Sequence, residues 1–232
     1  MLAMIFMMEL SFLFIISLMT TIGKSSNKTK TRLAILLLAA GEGSRLGGFP
    51  KALLKKDGQT LLHSFCLSMQ ALCPIEIVIV TGFHAQEIES QLASIDTSQL
   101  PIRMIRNPHP EAGQASSVRL GLEALKSDYD ALIVALCDQP DIGVLEIEAL
   151  LEQFTRRDTH HEIILPMVNG DRGNPVVFSK KVIDSILAIP KMVCRPYMDQ
   201  YPELVLIMNT DKQAYVLDAD TELDIQALGL TK

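Results

Sequence analysis

The chain has 232 residues, a formal net charge of −6 and no tryptophan, a length that buries a sizeable core in one domain or in one domain plus a small lobe. The acidic balance, the absence of a long basic run and an aromatic content of only 5% argue against a nucleic-acid surface or a base-stacking platform. Cys66, Cys73, Cys137 and Cys194 lie far apart with no C-x-x-C, so they read as single thiols in a reducing compartment rather than a zinc site or a disulfide framework.

Residues 1–22 are mostly Met, Leu, Ile and Phe, with Glu9 as the one charge, and 23–30 form a polar linker. The stretch is nearly long enough to span a bilayer, and Lys24, Lys28, Lys30 and Arg32 after it would keep the downstream domain on the cytoplasmic side. A secretory signal is poorly supported, because no basic region precedes the apolar run and no small-residue cleavage site ends it. Methionines at 1, 4, 7, 8 and 19 add a further reading, a start placed upstream of the true one. The expected division is an extension over 1–31 and a domain over 32–232, facing the cytoplasm in either case; membrane association rests on residues 1–22 alone.

The stretch from Leu33 to Leu54 organises the domain. Leu33–Leu38 is a buried apolar strand, followed by small residues and by Gly41, Gly43, Gly47 and Gly48, with Ser44, Arg45 and Lys51 among and after them. Such a loop, with two fixed cations, suits an anion and most simply a triphosphate, since glycine lets backbone N–H groups approach phosphate oxygens. Its spacing is neither a Walker loop nor a G-x-G-x-x-G fingerprint, and an ordinary glycine-rich strand–turn–helix junction also explains it.

Downstream, the apolar spacing predicts a helix over 60–72, a strand over 75–82 ending in Gly82, a helix over 85–92 and a strand over 102–105. A polar turn, Asn107 to Pro110, leads to a helix over 116–125 in which Ser116 serves as a cap or, with Gly113 and Ser117, as a donor to a nucleotide. A strand over 129–136 ends in Cys137-Asp138-Gln139-Pro140, and a helix over 145–154 comes next. Strands alternating with helices predict a mostly parallel sheet covered on both faces, with ligands beyond the carboxyl ends of its strands. Asp138 at such an end either holds Mg2+ against a triphosphate or caps the next turn. Cys137 reads as a small buried residue, and His109 as structural.

The second half predicts a strand over 162–166, a loop over 167–175, a strand over 176–178 and a helix over 182–187. No structure is assigned to 190–202; strands over 204–208 and 214–217 and a helix over 221–228 complete the chain. Within the loop, Asp171, Arg172, Gly173, Asn174 and Pro175 suit an anionic heterocyclic substrate or a plain hairpin. Thr221 or Asp220 caps that last helix; Asp218 and Asp220 are open to a second Mg2+ role or a helix cap, the cap being the simpler role for Asp220. Asp224 reads as solvated or locally capping.

The residues LAAGEGSRLGGFPKALL over 38–54 resemble the L-A-A-G-x-x-x-R…K-x-L-L loop of MobA-like nucleotidyltransferases, in particular the molybdenum cofactor cytidylyltransferases and their guanylyltransferase relatives. Leu136-Cys137-Asp138-Gln139-Pro140 is similar to that family's L-x-D-x-P, Gly173-Asn174-Pro175-Val176 to its G-[HN]-P-hydrophobic segment, and Asp218-Ala219-Asp220-Thr221 to its D-I-D-T. The sequence departs from the family in Glu222-Leu223, where Pro-Glu is usual, and has Asn174 where cytidylyl members commonly have His. The resemblance implies a three-layer α/β/α sandwich with a Rossmann-like, mostly parallel sheet of the nucleotide-diphospho-sugar transferase type. It implies nucleotide contacts at Leu38, Ala39, Ala40, Gly41, Gly43, Ser44, Gly82, Asn107, Gly113, Ser116 and Ser117, and triphosphate binding by Arg45 and Lys51. Mg2+ falls on Asp138 with Asp220, and the acceptor on 171–175. The implied substrates are CTP or GTP and a molybdopterin-type acceptor, with a molybdenum apoenzyme as receiving partner.

Overall fold

The computed structural model describes residues 31–232; the readings made on 1–30 lie outside the described residues. The first strand, β1 (Leu33–Ala39), is apolar along its whole length and buried at every position, which demands cover on both faces. It receives that cover by alternation. Leu33, Ile35, Leu37 and Ala39 point into one core and Ala34, Leu36 and Leu38 into another, as the period of two requires.

The helix α1 (Leu61–Leu72) comes after a short ribbon, Lys55–Lys56 with Gln59–Thr60, and is capped by the Thr60 side chain. Then come β2 (Glu76–Thr81), α2 (Ala85–Ala93), β3 (Ile102–Arg106), α3 (Gln114–Ala124), β4 (Ala131–Leu136) and α4 (Val144–Arg156). The second half adds β5 (Ile163–Val168), β6 (Asp171–Arg172), β7 (Val176–Ser179), α5 (Lys180–Ala188), α6 (Cys194–Gln200), β8 (Val205–Asn209) and α7 (Glu222–Ala227). The sheet order is β8-β5-β7-β4-β1-β2-β3, with β6 paired to β5. Helices α1, α2 and α4 pack on one face, α3, α5 and α6 on the other. The architecture is therefore the three-layer α/β/α sandwich with a mostly parallel sheet.

Parallel pairing aligns Ala39 of β1 with Thr81 of β2 and Leu38 with Leu136 of β4. The chain moves from β1 to one side and later returns to β4 on the other, and in such sheets this reversal opens a crevice at the strands' carboxyl ends. Strand β7 runs antiparallel between β4 and β5, with Val134 opposite Val176. Its first residue thus stands near the carboxyl end of β4, which delivers residues 173–175 to the crevice.

Several sequence expectations are corrected. The 167–175 loop is largely a hairpin, because β5 runs through Val168 and β6 pairs back on it. Residues 190–202 contain α6. The expected strand over 214–217 is instead a 3₁₀ turn, Gln213–Tyr215. There the Tyr215 side chain is fully buried, and its carbonyl is taken by Gln139 Nε2 at 3.0 Å and by the Asn174 N–H at 2.8 Å rather than by a ladder. Helix α3 starts earlier than expected, with Gly113 rather than Ser116 at its N-cap. Of the two caps expected for α7, Thr221 takes the role and Asp220 does not, while Asp224 caps locally by closing the reciprocal capping box.

Candidate active site

Beyond Ala39 the chain coils into a 3₁₀ turn, Ser44–Leu46. Gly43 enters it at φ +69°, and a Cβ there would collide with the Phe49 carbonyl, so only glycine takes this position without strain. Leu46, 1% exposed, anchors the turn in a small cluster with Leu54, Leu61, Ala219, Ile225 and Leu230. A second 3₁₀ turn, Lys51–Leu53, then presents Lys51.

Lys51 Nζ donates to Asp138 Oδ2 at 2.8 Å and also to Asp220 Oδ1. Asp138 comes from the end of β4. Asp220 arrives beside it because the Ala219 N–H donates to the Asp138 carbonyl at 2.9 Å. Burial by itself favours a neutral amine at Lys51, but the Asp138 carboxylate, and then Asp220, outweigh it and hold the ammonium form well above the ordinary lysine range. Arg45 reaches Asp220 Oδ2 at 2.8 Å from a largely exposed position. Asp218 titrates above its usual value, through partial desolvation and then through the charges of Asp220 and Asp138.

The other oxygen of Asp138, Oδ1, is buried and has no hydrogen-bond partner. A buried carboxylate oxygen left without a donor calls for a cation or a ligand donor. No three His, Cys, Asp or Glu side chains among the described residues form a metal cluster by themselves. Mg2+ is commonly held by one or two carboxylates together with substrate phosphates, so Asp138 and Asp220 fit it. The Cys137 thiol is pushed above its ordinary range by burial and then by Asp138, which disfavours the thiolate a nucleophile needs.

Two adjoining cavities open at this end of the sheet. The first, about 610 Å³, is lined by Leu38, Ala39, Ala40, Gly41, Lys51, Gly113, Ser117 and Asp138 of the expected set. The second, about 340 Å³, is lined by Arg172, Gly173 and Asn174, with Asp171 and Pro175 outside its wall. Leu38 and Gln114 belong to both. Gly43, Ser44, Arg45, Gly82, Asn107, Ser116 and Asp220 do not line the first cavity. Gly82 is packed against Ala40 and Pro110. Asn107 Nδ2 donates to Ser116 Oγ at 2.9 Å and to Ser117 Oγ at 3.0 Å, and its Oδ1 accepts from the His109 N–H at 2.9 Å. Buried Asn107 thus ties half-buried Ser116 to Ser117 behind the wall.

Sequence reasoning passed over Glu42, Phe83, Glu111 and Gln114 in the first cavity and Cys194, Arg195 and Met198 in the second. Phe83 adjoins Gly82 directly, and proximity to that glycine could have flagged it. The α6 residues carried no signal, since a seven-residue helix shows too little periodicity.

The model of the MobA-like NTP transferase domain matches residues 35–201. Nicotine blue oxidoreductase of Paenarthrobacter nicotinovorans is 30% identical over 192 residues, 80% of this chain and 91% of that protein. The molybdenum cofactor cytidylyltransferase of Escherichia coli (strain K12) is 25% identical over 194 residues, 82% of this chain and 91% of its own length. The chain also matches bifunctional GlmU proteins, of which it spans about a third of the length. Among solved structures, Rv0371c of Mycobacterium tuberculosis H37Rv in complex with manganese superposes with a TM-score of 0.64 at 18% identity, covering 85% of this chain and 98% of that one.

Proposed function

Because the chain belongs to the MobA-like NTP transferase domain family, and so to the nucleotidyltransferases, we propose that it transfers a cytidylyl group from CTP to a molybdopterin-type cofactor, releasing pyrophosphate. The observation that carries this reading is the Lys51 ammonium between Asp138 and Asp220, beside a cavity of about 610 Å³. An oxygen of the acceptor's terminal phosphate attacks the α-phosphorus of CTP, the bond from that phosphorus to the bridging oxygen breaks, and pyrophosphate departs. Backbone N–H groups of residues 41–47, with Lys51 and Arg45, hold the β- and γ-phosphates and bear the charge that grows on the leaving group. Asp138 and Asp220 would hold Mg2+, which supplies charge neutralisation at the triphosphate when bound. A phosphate monoester is already an anionic nucleophile near neutral pH, so the protein's task is positioning. The second cavity, across Leu38, receives the acceptor. All four cysteines are free thiols, which supports a reducing, cytoplasmic setting.

Incubation with CTP, GTP, ATP or UTP, Mg2+ and purified molybdenum cofactor, read as pyrophosphate release, tests the proposal. CTP should be preferred, and Asp138→Asn should lower turnover by about 100-fold or more while the thermal midpoint is retained. Preference for GTP makes the protein a guanylyltransferase, turnover only with a sugar or polyol phosphate replaces the acceptor, and cofactor binding without any turnover makes it a maturation chaperone. Full turnover in Asp138→Asn removes that residue from the metal.

A further inference from the structure

Every described arginine but one has a carboxylate partner. Arg32, Arg45, Arg103, Arg106, Arg119, Arg156, Arg157 and Arg172 each form an ion pair. Arg195 alone forms none among the described residues, and it lines the second cavity. Its natural partner is close at hand in sequence. Asp199 stands four residues further along α6, the spacing at which a helical pair meets, yet Asp199 is held by Arg172 Nη1 at 2.5 Å. The hairpin arginine therefore draws the acid away and leaves a bare guanidinium beside a cavity whose wall is otherwise mainly aliphatic and aromatic, with Leu38, Leu165, Phe178 and Met198.

We propose that Arg195 is the anion-recognition residue of the acceptor cavity, selecting a compact acceptor with a flat ring body and a phosphate or other anionic substituent. Arg172 is the positioning residue that keeps Asp199 from neutralising it. This deepens the transferase reading and rests on it for the identity of the cavity. The chemistry is set by the residues that line the space. The apolar part of the wall stabilises the faces of a ring system by burial, and a cavity of about 340 Å³ has room for one. A guanidinium without a counter-ion binds a phosphate with charge-assisted, bidentate hydrogen bonds.

The test is a fluorescence titration of the full-length protein, without triphosphate, by 1-naphthyl phosphate, by neutral 1-naphthol and by pterin-6-carboxylate. Wild type should bind naphthyl phosphate on the order of tenfold more tightly than naphthol, the size of one charge-assisted contact. Arg195→Ala should abolish that preference without changing naphthol binding, and Arg195→Lys should retain part of it. Arg172→Ala should weaken it too, because the released Asp199 then pairs with Arg195, and adding Asp199→Asn should restore it. A purely structural role for Arg172 would not give that rescue. Arg195 is exposed, so its variants should keep the wild-type thermal midpoint. An equal preference in wild type and Arg195→Ala, or none in wild type, overturns the proposal, and absent rescue overturns the part given to Arg172. Binding of naphthyl phosphate without pterin-6-carboxylate leaves Arg195 in place and removes the pterin acceptor from the transferase reading.

Discussion

Glu76, at the start of β2, is only 8% exposed. Burial alone would raise its pKa, but the N–H groups of Ser127 and Lys126 and the Arg103 guanidinium, at 2.6 Å, bring it down from 4.5 to about 2. A carboxylate with a depressed folded pKa stabilises the protein fully above its unfolded value. The contribution is lost as pH falls through 4.5 towards 2, and is worth up to about 3 kcal/mol. Urea midpoints at pH 7 and pH 3 should differ by less in Glu76→Gln than in wild type, and an equal acid sensitivity would remove this carboxylate from the account. Glu76 was not legible in the sequence, because its partners lie 27 to 51 positions away. Lys51 and Asp138 were legible because each stands at the end of an unmistakable apolar strand or its loop. Arg195 was not, since what distinguishes it is an ion pair it fails to make.

Helix α3 lies so close to the sheet that a Cβ on Gly121 would press into Leu36 Cδ2 and Val80 Cγ2, each at 3.0 Å. Alanine at a helix interior is worth about 1 kcal/mol over glycine, but overfilling a packed core costs about 1–3 kcal/mol. Gly121→Ala should therefore lower the urea midpoint, and a raised midpoint would show that α3 can lift off the sheet freely. The first five apolar or amphipathic elements were readable, because continuous burial or a helical stripe writes itself into composition. Failure came where one residue overrode its segment. Tyr215 looks like a strand residue, yet its hydroxyl donates to the Glu146 carbonyl at 2.8 Å and its backbone ties Gln139 to Asn174, so the segment turns instead of extending. The short α6, with Pro196 inside it, was likewise invisible to periodicity.

Over the whole molecule, Lys51 joins three distant stretches, the loop after β1, the end of β4 and the approach to α7. Any ligand that binds the folded chain alone adds about 2.7 kcal/mol at a hundred times its dissociation constant, or roughly 5–10 °C for a chain of this size. CTP with Mg2+ should produce such a rise, and Lys51→Ala should flatten it; an unchanged rise would place the triphosphate elsewhere. No helix among the described residues is long and apolar enough to cross a membrane.

Strand β7, wedged in the opposite direction between β4 and β5, has a lasting consequence. The lining of the first cavity comes from the chain before it, with Asp220 brought to Lys51 from after it, while the hairpin and α6 add to the second cavity from around and after it. Changes in the hairpin and α6 thus reshape the second cavity without touching any residue that lines the first. An arrangement in which one wall can vary by itself accords with relatives whose names speak of such different work.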